Sequence, residues 1–154
     1  MKFLIATDGS GTSESVIKAA CETIGKPENT TVKIISAIET PTPLAAEPFA
    51  VSAEYYQDFL ADLSKQAKNT IEAAEANLKE LCPNIGGVSG EVVRGGAAQA
   101  IVETASEWGA DLIVIGSHGY GFWSRALLGS VSNSVVHHAP CSVLIVRGKT
   151  TEKS

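Results

Sequence analysis

Cysteine is scarce in this sequence and badly spaced for chemistry. Cys21, Cys82 and Cys141 are the three cysteines among 154 residues. No C-x-x-C joins any two, so they supply neither a zinc pattern nor a disulfide framework, and they read as reduced thiols of a cytoplasmic protein. Long apolar runs are missing as well. None approaches the roughly 18 residues of a membrane span, and the opening Met1-Lys2-Phe3-Leu4-Ile5 meets Asp8 too early for a signal-peptide core. Concentrated positive charge is absent: 12 Lys and Arg stand against 17 Asp and Glu, a net charge of -5. That balance excludes the basic face of a nucleic-acid binder and disfavours anionic membranes. Two phosphate-binding patterns are also lacking. There is no G-x-x-x-x-G-K-[ST], and Gly9-x-Gly11 is followed at position 14 by Glu14, where G-x-G-x-x-G requires glycine. P-loop chemistry and a nicotinamide or flavin site therefore drop out.

What remains is an ordinary globular composition, 44% hydrophobic and 19% charged. A chain of this length can bury a core without disulfides or a structural metal. One domain is expected over residues 1–148, with a polar tail at 149–154. Phe3-Leu4-Ile5-Ala6 reads as a strand apolar on both faces, as in a parallel sheet covered on both sides. After the turn at Asp8-Gly9-Ser10-Gly11, with Thr12 or Ser13 as cap, Val16, Ile17, Ala20 and Ile24 mark one helix face. Val32–Ile38 is a second strand. The proline-bearing stretch from Thr40 to Ser52 is a loop, and Ala53–Leu81 keeps helical spacing until Pro83. Gly90–Arg94 is a third strand. A helix carrying Ile101, Val102, Ala105 and Trp108 follows, closed by Gly109. Leu112–Ile115 is the fourth strand, Val131–His138 a helix, and Ser142–Val146 the fifth strand. Strict strand–helix alternation predicts an α/β fold: a three-layer α/β/α arrangement around an open, twisted, five-stranded parallel sheet of order 3-2-1-4-5. In such sheets ligands bind beyond the carboxyl ends of the strands, where the order reverses. The turns after strands one and four meet there.

The turn after strand four, "GSHGYGFWSRALLGS" from Gly116 to Ser130, is rich in glycine and ends just before a helix. Glycines let a backbone approach a ligand, and a helix N-terminus attracts phosphate. The hydroxyls of Ser130 and Ser132 add donors, and Arg125 a positive charge. The alternative is a connecting loop with a helix-capping serine. Asp8 is either a site residue or a turn-former before glycine. His118 fits a hydrogen-bonded loop residue better than an acid–base catalyst. His137 and His138 suit a helix C-terminus, which favours imidazolium. Phe122 and Trp123 either cover a ligand or plug the surface. Cys21 and Cys141 fall on apolar patterns and are expected in the core.

Gly116-x2-Gly119-x9-Gly129-Ser130 resembles the ATP-binding signature of the universal stress protein family. "ATDGS" at 6–10, "VVRGGAAQAIVETA" at 92–105, "DLIVIGSHG" at 111–119 and "LLGSVSNSVVHHAPCSVLIVR" at 127–147 are similar to the corresponding strands and helices of that family. The resemblance implies a Rossmann-like fold of the adenine nucleotide alpha hydrolase-like type. It implies an ATP site, with ADP or AMP as alternatives. Ala6, Thr7 and Asp8 would follow the first strand, with Asp8 near the ribose and phosphates and holding Mg2+. Ala37 would offer backbone groups to the adenine. Ile115, Gly116, His118 and Gly119 would line the ribose and phosphate side, Arg125 would supply charge, and Gly129, Ser130, Val131 and Ser132 would hold the phosphates. It also implies a homodimer through the last strand, 142–147, whose apolar residues make a poor open edge. No catalytic residue is assigned. Without a Walker-type lysine or a second acidic ligand, the expected role is nucleotide-dependent regulation or stress resistance, acting on a protein partner the sequence does not specify, with slow or no hydrolysis. A true ATP hydrolase or phosphotransferase, and an interaction domain without nucleotide, are the alternatives.

Overall fold

Phe3, Leu4 and Ile5 are all buried, so the first strand is covered on both faces, as its unbroken apolar run demands. In the computed structural model, which describes residues 1–39, 52–117 and 128–148, this strand, β1 (Lys2–Ala6), lies at the centre of a five-stranded sheet. The chain continues through α1 (Ser13–Thr23), a short 3-10 turn (Pro27–Asn29), β2 (Thr31–Ile38), α2 (Ala53–Leu81), β3 (Gly87–Arg94), α3 (Ala97–Trp108), β4 (Leu112–Gly116), α4 (Ser130–His138) and β5 (Ser142–Val146). The strand order is β3-β2-β1-β4-β5 and every pairing is parallel, as the alternation predicts.

Two apolar layers hold the helices to the sheet. On one face Phe3, Ile5, Val32, Ile34 and Val114 pack with Val16, Ile17 and Ala20 of α1 and with Ile71, Ala74 and Leu78 of α2. On the other, Leu4, Ile35, Ile113 and Ile115 pack with Ile101 and Ala105 of α3 and Val135 of α4. Successive strand residues feed opposite layers, as the two-residue period of a strand requires. Fully burying one of the larger side chains contributes roughly 1.5–3 kcal/mol, and twelve large side chains are under 2% exposed, so this core needs no cross-link.

Four local expectations are corrected. β3 begins at Gly87 rather than Gly90, because Gly87, Val88 and Ser89 pair with Thr31, Val32 and Lys33. α2 lies directly on the strand: a Cβ at Gly90 would run into Ile71 Cγ2 and Glu75 Oε1. α4 begins at Ser130 with Gly129 in the cap position, so the serine is the first helical residue and not the cap. Thr12 occupies the cap position of α1 without a side-chain cap bond, since its Oγ1 meets Ser10 Oγ at 2.8 Å. Cys21 and Cys141 sit half-buried at the margins of the two layers, and Cys82 is the buried cysteine. The expected loop at 40–52, apart from Ser52, and the tail at 149–154 lie outside the described residues. Ser52 caps α2, its hydroxyl accepting from Tyr55 N–H at 3.2 Å.

Candidate functional site

Parallel strands all end at the same edge of a sheet, and the helices that follow begin there. In this chain that edge holds a cavity of about 610 Å³ between β1 and β4, within the usual range for small-molecule sites of roughly 300–1,000 Å³. β1 supplies Ala6, Thr7 and Asp8, β2 supplies Ile35 and Ala37, and β4 supplies Ile115 and Gly116. From α4 come Gly129, Ser130, Val131 and Ser132. The structure thus brings together Ala6, Thr7, Asp8, Ala37, Ile115, Gly116, Gly129, Ser130, Val131 and Ser132. His118, Gly119 and Arg125, with Phe122 and Trp123, lie outside the described residues.

The turn after β1 is fixed by its own polar groups. Thr7 N–H donates to Ile35 O (3.0 Å), carrying the ladder one step past the strand. Ser10 N–H donates to Asp8 Oδ1 (2.9 Å), an Asx turn that leaves Oδ2 free of this bond. Thr7 Oγ1 meets Ser13 Oγ at 2.6 Å and accepts from Gly9 N–H at 3.2 Å. Gly9 has φ +75°, and a Cβ there would lie 2.8 Å from Thr70 Oγ1 of α2. The turn is therefore seated against the helix behind it, and Asp8 is presented to the cavity from a rigid base.

The opposite wall is the start of α4. Gly129 N–H donates to Ser117 O (2.8 Å), and Asn133 N–H returns to Gly129 O (2.9 Å). Ser132 Oγ donates to Ser117 O (2.9 Å) and also meets Gly129 O (3.1 Å). With 2% exposure, this hydroxyl ties the helix start to the end of β4. Gly129 has φ -61°, so no left-handed backbone calls for glycine at this position. The amides of Ser130, Val131 and Ser132 belong to the first turn, where a helix offers N–H groups with no intrahelical acceptor.

Three helices begin around this cavity, and their charges differ. α1 carries Glu14 in its first turn. At α3, Ala97 N–H donates to Glu39 Oε1 at 3.4 Å. α4 has no acidic residue in its first turn. An anion gains from a helix N-terminus and loses from a nearby carboxylate, so of the three helix starts that of α4 suits an anion best.

At the β2 wall the backbone is informative. Ile35 O accepts from Thr7 on the β1 side, and Ile38 O accepts from Gly95 on the β3 side. Strand alternation then turns the N–H and C=O of Ala37 towards β1. The last β1 partner in the register is Ile35, facing Ala6, so Ala37 presents one donor and one acceptor beyond the end of the central strand. Val16, Ala97 and Ile101 complete an apolar surround.

Sequence reasoning missed Thr12, Ser13, Val16, Ile35, Ala97, Ile101 and Leu128 as lining residues. Thr12 and Ser13 carried a signal, hydroxyls one turn from Asp8, that helix capping already explained. The others are apolar positions indistinguishable in sequence from core.

Asp8 is the one carboxylate among the described residues lining the cavity, and no group of three or more His, Cys, Asp or Glu among the described residues forms a metal cluster. Mg2+ commonly takes one or two carboxylates with water and substrate phosphates. Asp8 fits that use only when a phosphate completes the shell. At the far end of α4, His138 Nδ1 lies 2.8 Å from Ser134 O, and His137 shares the last turn. Among the described residues no helix is long and apolar enough to cross a membrane.

Residues 1–147 match the family model described as the Universal stress protein family. Universal stress protein A homolog 2 of Coxiella burnetii is 31% identical over 150 residues, covering 96% of this chain and 95% of that protein. The solved structure of hypothetical protein MJ0577 superposes with a TM-score of 0.79 at 28% identity, covering 97% of each chain. A universal stress protein solved in complex with cAMP superposes with a TM-score of 0.67 at 26% identity, covering 95% of this chain and 96% of that one.

Proposed function

From the premise that the chain belongs to the universal stress protein family, we propose that the cavity binds ATP and that the protein acts as a nucleotide-dependent regulatory or stress-resistance protein with slow or no hydrolysis. The observation that carries this reading is the pairing of two features across one cavity: the acid-free start of α4 and the outward N–H and C=O of Ala37. The edge of adenine offers a ring-nitrogen acceptor beside an amino donor, which complements one N–H and one C=O. Guanine presents a carbonyl and a ring N–H in those places and meets like with like. Phosphates would then reach the amides of Ser130, Val131 and Ser132, with Asp8 beside the ribose and phosphates. The cAMP complex of a relative lends support to an adenine ligand.

When bound with the nucleotide, Mg2+ would neutralise phosphate charge at Asp8. Phosphoryl transfer also needs a positioned base and cations around the γ-phosphate, and the described lining residues include no lysine, arginine or histidine. That composition supports binding over turnover. A second copy of the chain, paired through 142–147, and a cytoplasmic setting that keeps all three cysteines as free thiols belong to the same reading. The test is calorimetric titration with ATP, ADP, AMP and GTP, with and without Mg2+. ATP should bind at least tenfold tighter than GTP, about 1.4 kcal/mol. Equal affinities, or none, would remove the reading. Mg2+ alone should give no heat, since Asp8 has no second carboxylate beside it among the described lining residues.

A further inference from the structure

The described lining residues of the cavity carry no cation, but a strand end beside it does. Two described arginines stand at the carboxyl edge of the sheet: Arg94 ends β3, and Arg147 directly follows β5. β2 separates β3 from β1, whereas β5 lies against β4. Of the two, Arg147 is therefore the neighbour of the cleft between β1 and β4. Among the described residues no carboxylate pairs with it, since the ion pairs are Lys18–Glu22, Lys33–Glu91 and Lys79–Glu75. We propose that Arg147 binds the outer phosphates of the nucleotide and makes the site prefer a nucleoside triphosphate to a monophosphate.

The backbone on either side of Arg147 is fixed to the walls of the cavity. Val146 O accepts from Ser117 N–H at 2.8 Å, while Ser117 O accepts from Gly129 N–H at 2.8 Å and from the Ser132 hydroxyl at 2.9 Å. Ser117 is thus the single residue between the end of β5 and the start of α4. On the other side, a Cβ at Gly148 would lie 2.6 Å from Thr12 Cγ2, and Thr12 lines the cavity from the cap position of α1. Residues 146–148 therefore run from the α4 joint to the α1 cap, past the end of the cavity where α4 offers its first amides. Leu144 and Val146 pack with the layer of α1, and Val143 and Ile145 with the layer of α3 and α4. Continued one residue past the strand, that alternation puts Arg147 on the α4 side.

The inference rests on the ATP reading above and adds a cation to it. A helix start carries only about half a positive charge, which suits one phosphate, whereas a triphosphate brings several negative charges. A guanidinium is always charged, and its planar fork grips two phosphate oxygens at once. Arg147 is exposed, so it meets the phosphates that extend outward, beyond the one nearest the ribose. Its interaction with them is open to salt and weakens as ionic strength rises. One cation without a positioned base holds phosphate charge and transfers nothing, which agrees with binding over turnover.

The experiment titrates the whole chain with ATP, ADP, AMP and adenosine by calorimetry, without Mg2+. The parent is compared with Arg147→Gln, Arg147→Lys and Arg94→Gln, with circular dichroism on each. In Arg147→Gln, ATP affinity should fall by about tenfold or more, ADP affinity by less, and AMP and adenosine affinities by less than about twofold. A purely structural role at the end of β5 would lower all four alike. Arg147→Lys should recover part of the ATP loss, because the charge remains while the paired grip is lost. Arg94→Gln should match the parent. Added NaCl should weaken ATP binding more in the parent than in Arg147→Gln. If the parent binds ATP and Arg147→Gln binds it as tightly, or if ATP and AMP affinities fall equally, this inference is overturned and the nucleotide reading stands. If the parent binds none of the four ligands, the nucleotide reading falls and this inference with it.

Discussion

Gly9 shows how one residue holds a site together. Its φ of +75° costs an L side chain about 1–2 kcal/mol, and a Cβ would press on Thr70 Oγ1 at 2.8 Å. Gly9→Ala should therefore lower stability by at least that amount in urea denaturation. It should also weaken ATP binding, because the turn that presents Asp8 must move off α2. A variant as stable as the parent would mean that Thr70 swings away freely. Gly129 differs in kind. With φ -61° it carries no left-handed strain, so its value lies in space and charge. Gly129→Glu would place a carboxylate at the helix end that should receive phosphate. ATP affinity should fall by about a hundredfold or more in calorimetry, the equivalent of roughly 3 kcal/mol, with circular dichroism unchanged. The role of Asp8 as a cavity residue was legible because an acid between a strand and glycines is noticeable. Ser13 was not, because a serine at a helix start already has a local explanation in capping.

At the scale of elements, the start of α4 is a structural joint and the proposed ligand end. The Ser132 hydroxyl reaches Ser117 O and Gly129 O, which locks the helix start to the end of β4. Ser132→Ala should destabilise the protein by about 1–3 kcal/mol and loosen ATP binding in parallel, whereas Ser130→Ala should cost binding only about 1 kcal/mol and leave stability alone. Comparing urea midpoints with calorimetric affinities for the two variants separates the roles. If Ser132→Ala left both quantities unchanged, the joint would have no mechanical part. Long, periodic elements were readable in advance: α2 runs from Ala53 to Leu81, as its apolar spacing predicts. The start of β3 was hidden, because Gly87 suits a turn until β2 is placed beside it. Only tertiary contact makes that glycine a strand residue.

For the whole molecule, the strand order could be read because five apolar strands separated by helices admit few right-handed arrangements. The cavity location followed, since the order reverses between β1 and β4. What no local pattern supplies is the fate of the sheet's outer edge. β5 lies at that edge, and its residues Val143 to Val146 are only half-buried. An open apolar edge favours pairing with another strand, and a two-fold axis lets it pair with its own copy, antiparallel, so that one surface serves both chains. The backbone says which residues would do so. Val146 O accepts from Ser117 N–H on the β4 side, so by alternation Val143 and Ile145 turn their N–H and C=O outward. Ile145→Pro removes an outward donor and sets a ring against the partner, without deleting a bond to β4. Leu144→Pro deletes an inward one. In sedimentation at tens of micromolar, roughly well above common dimer constants, the parent chain should therefore run as a dimer and Ile145→Pro as a folded monomer that still binds ATP, while Leu144→Pro should lose structure. A monomeric parent would refute the edge pairing. A dimeric Ile145→Pro would move the interface to another face.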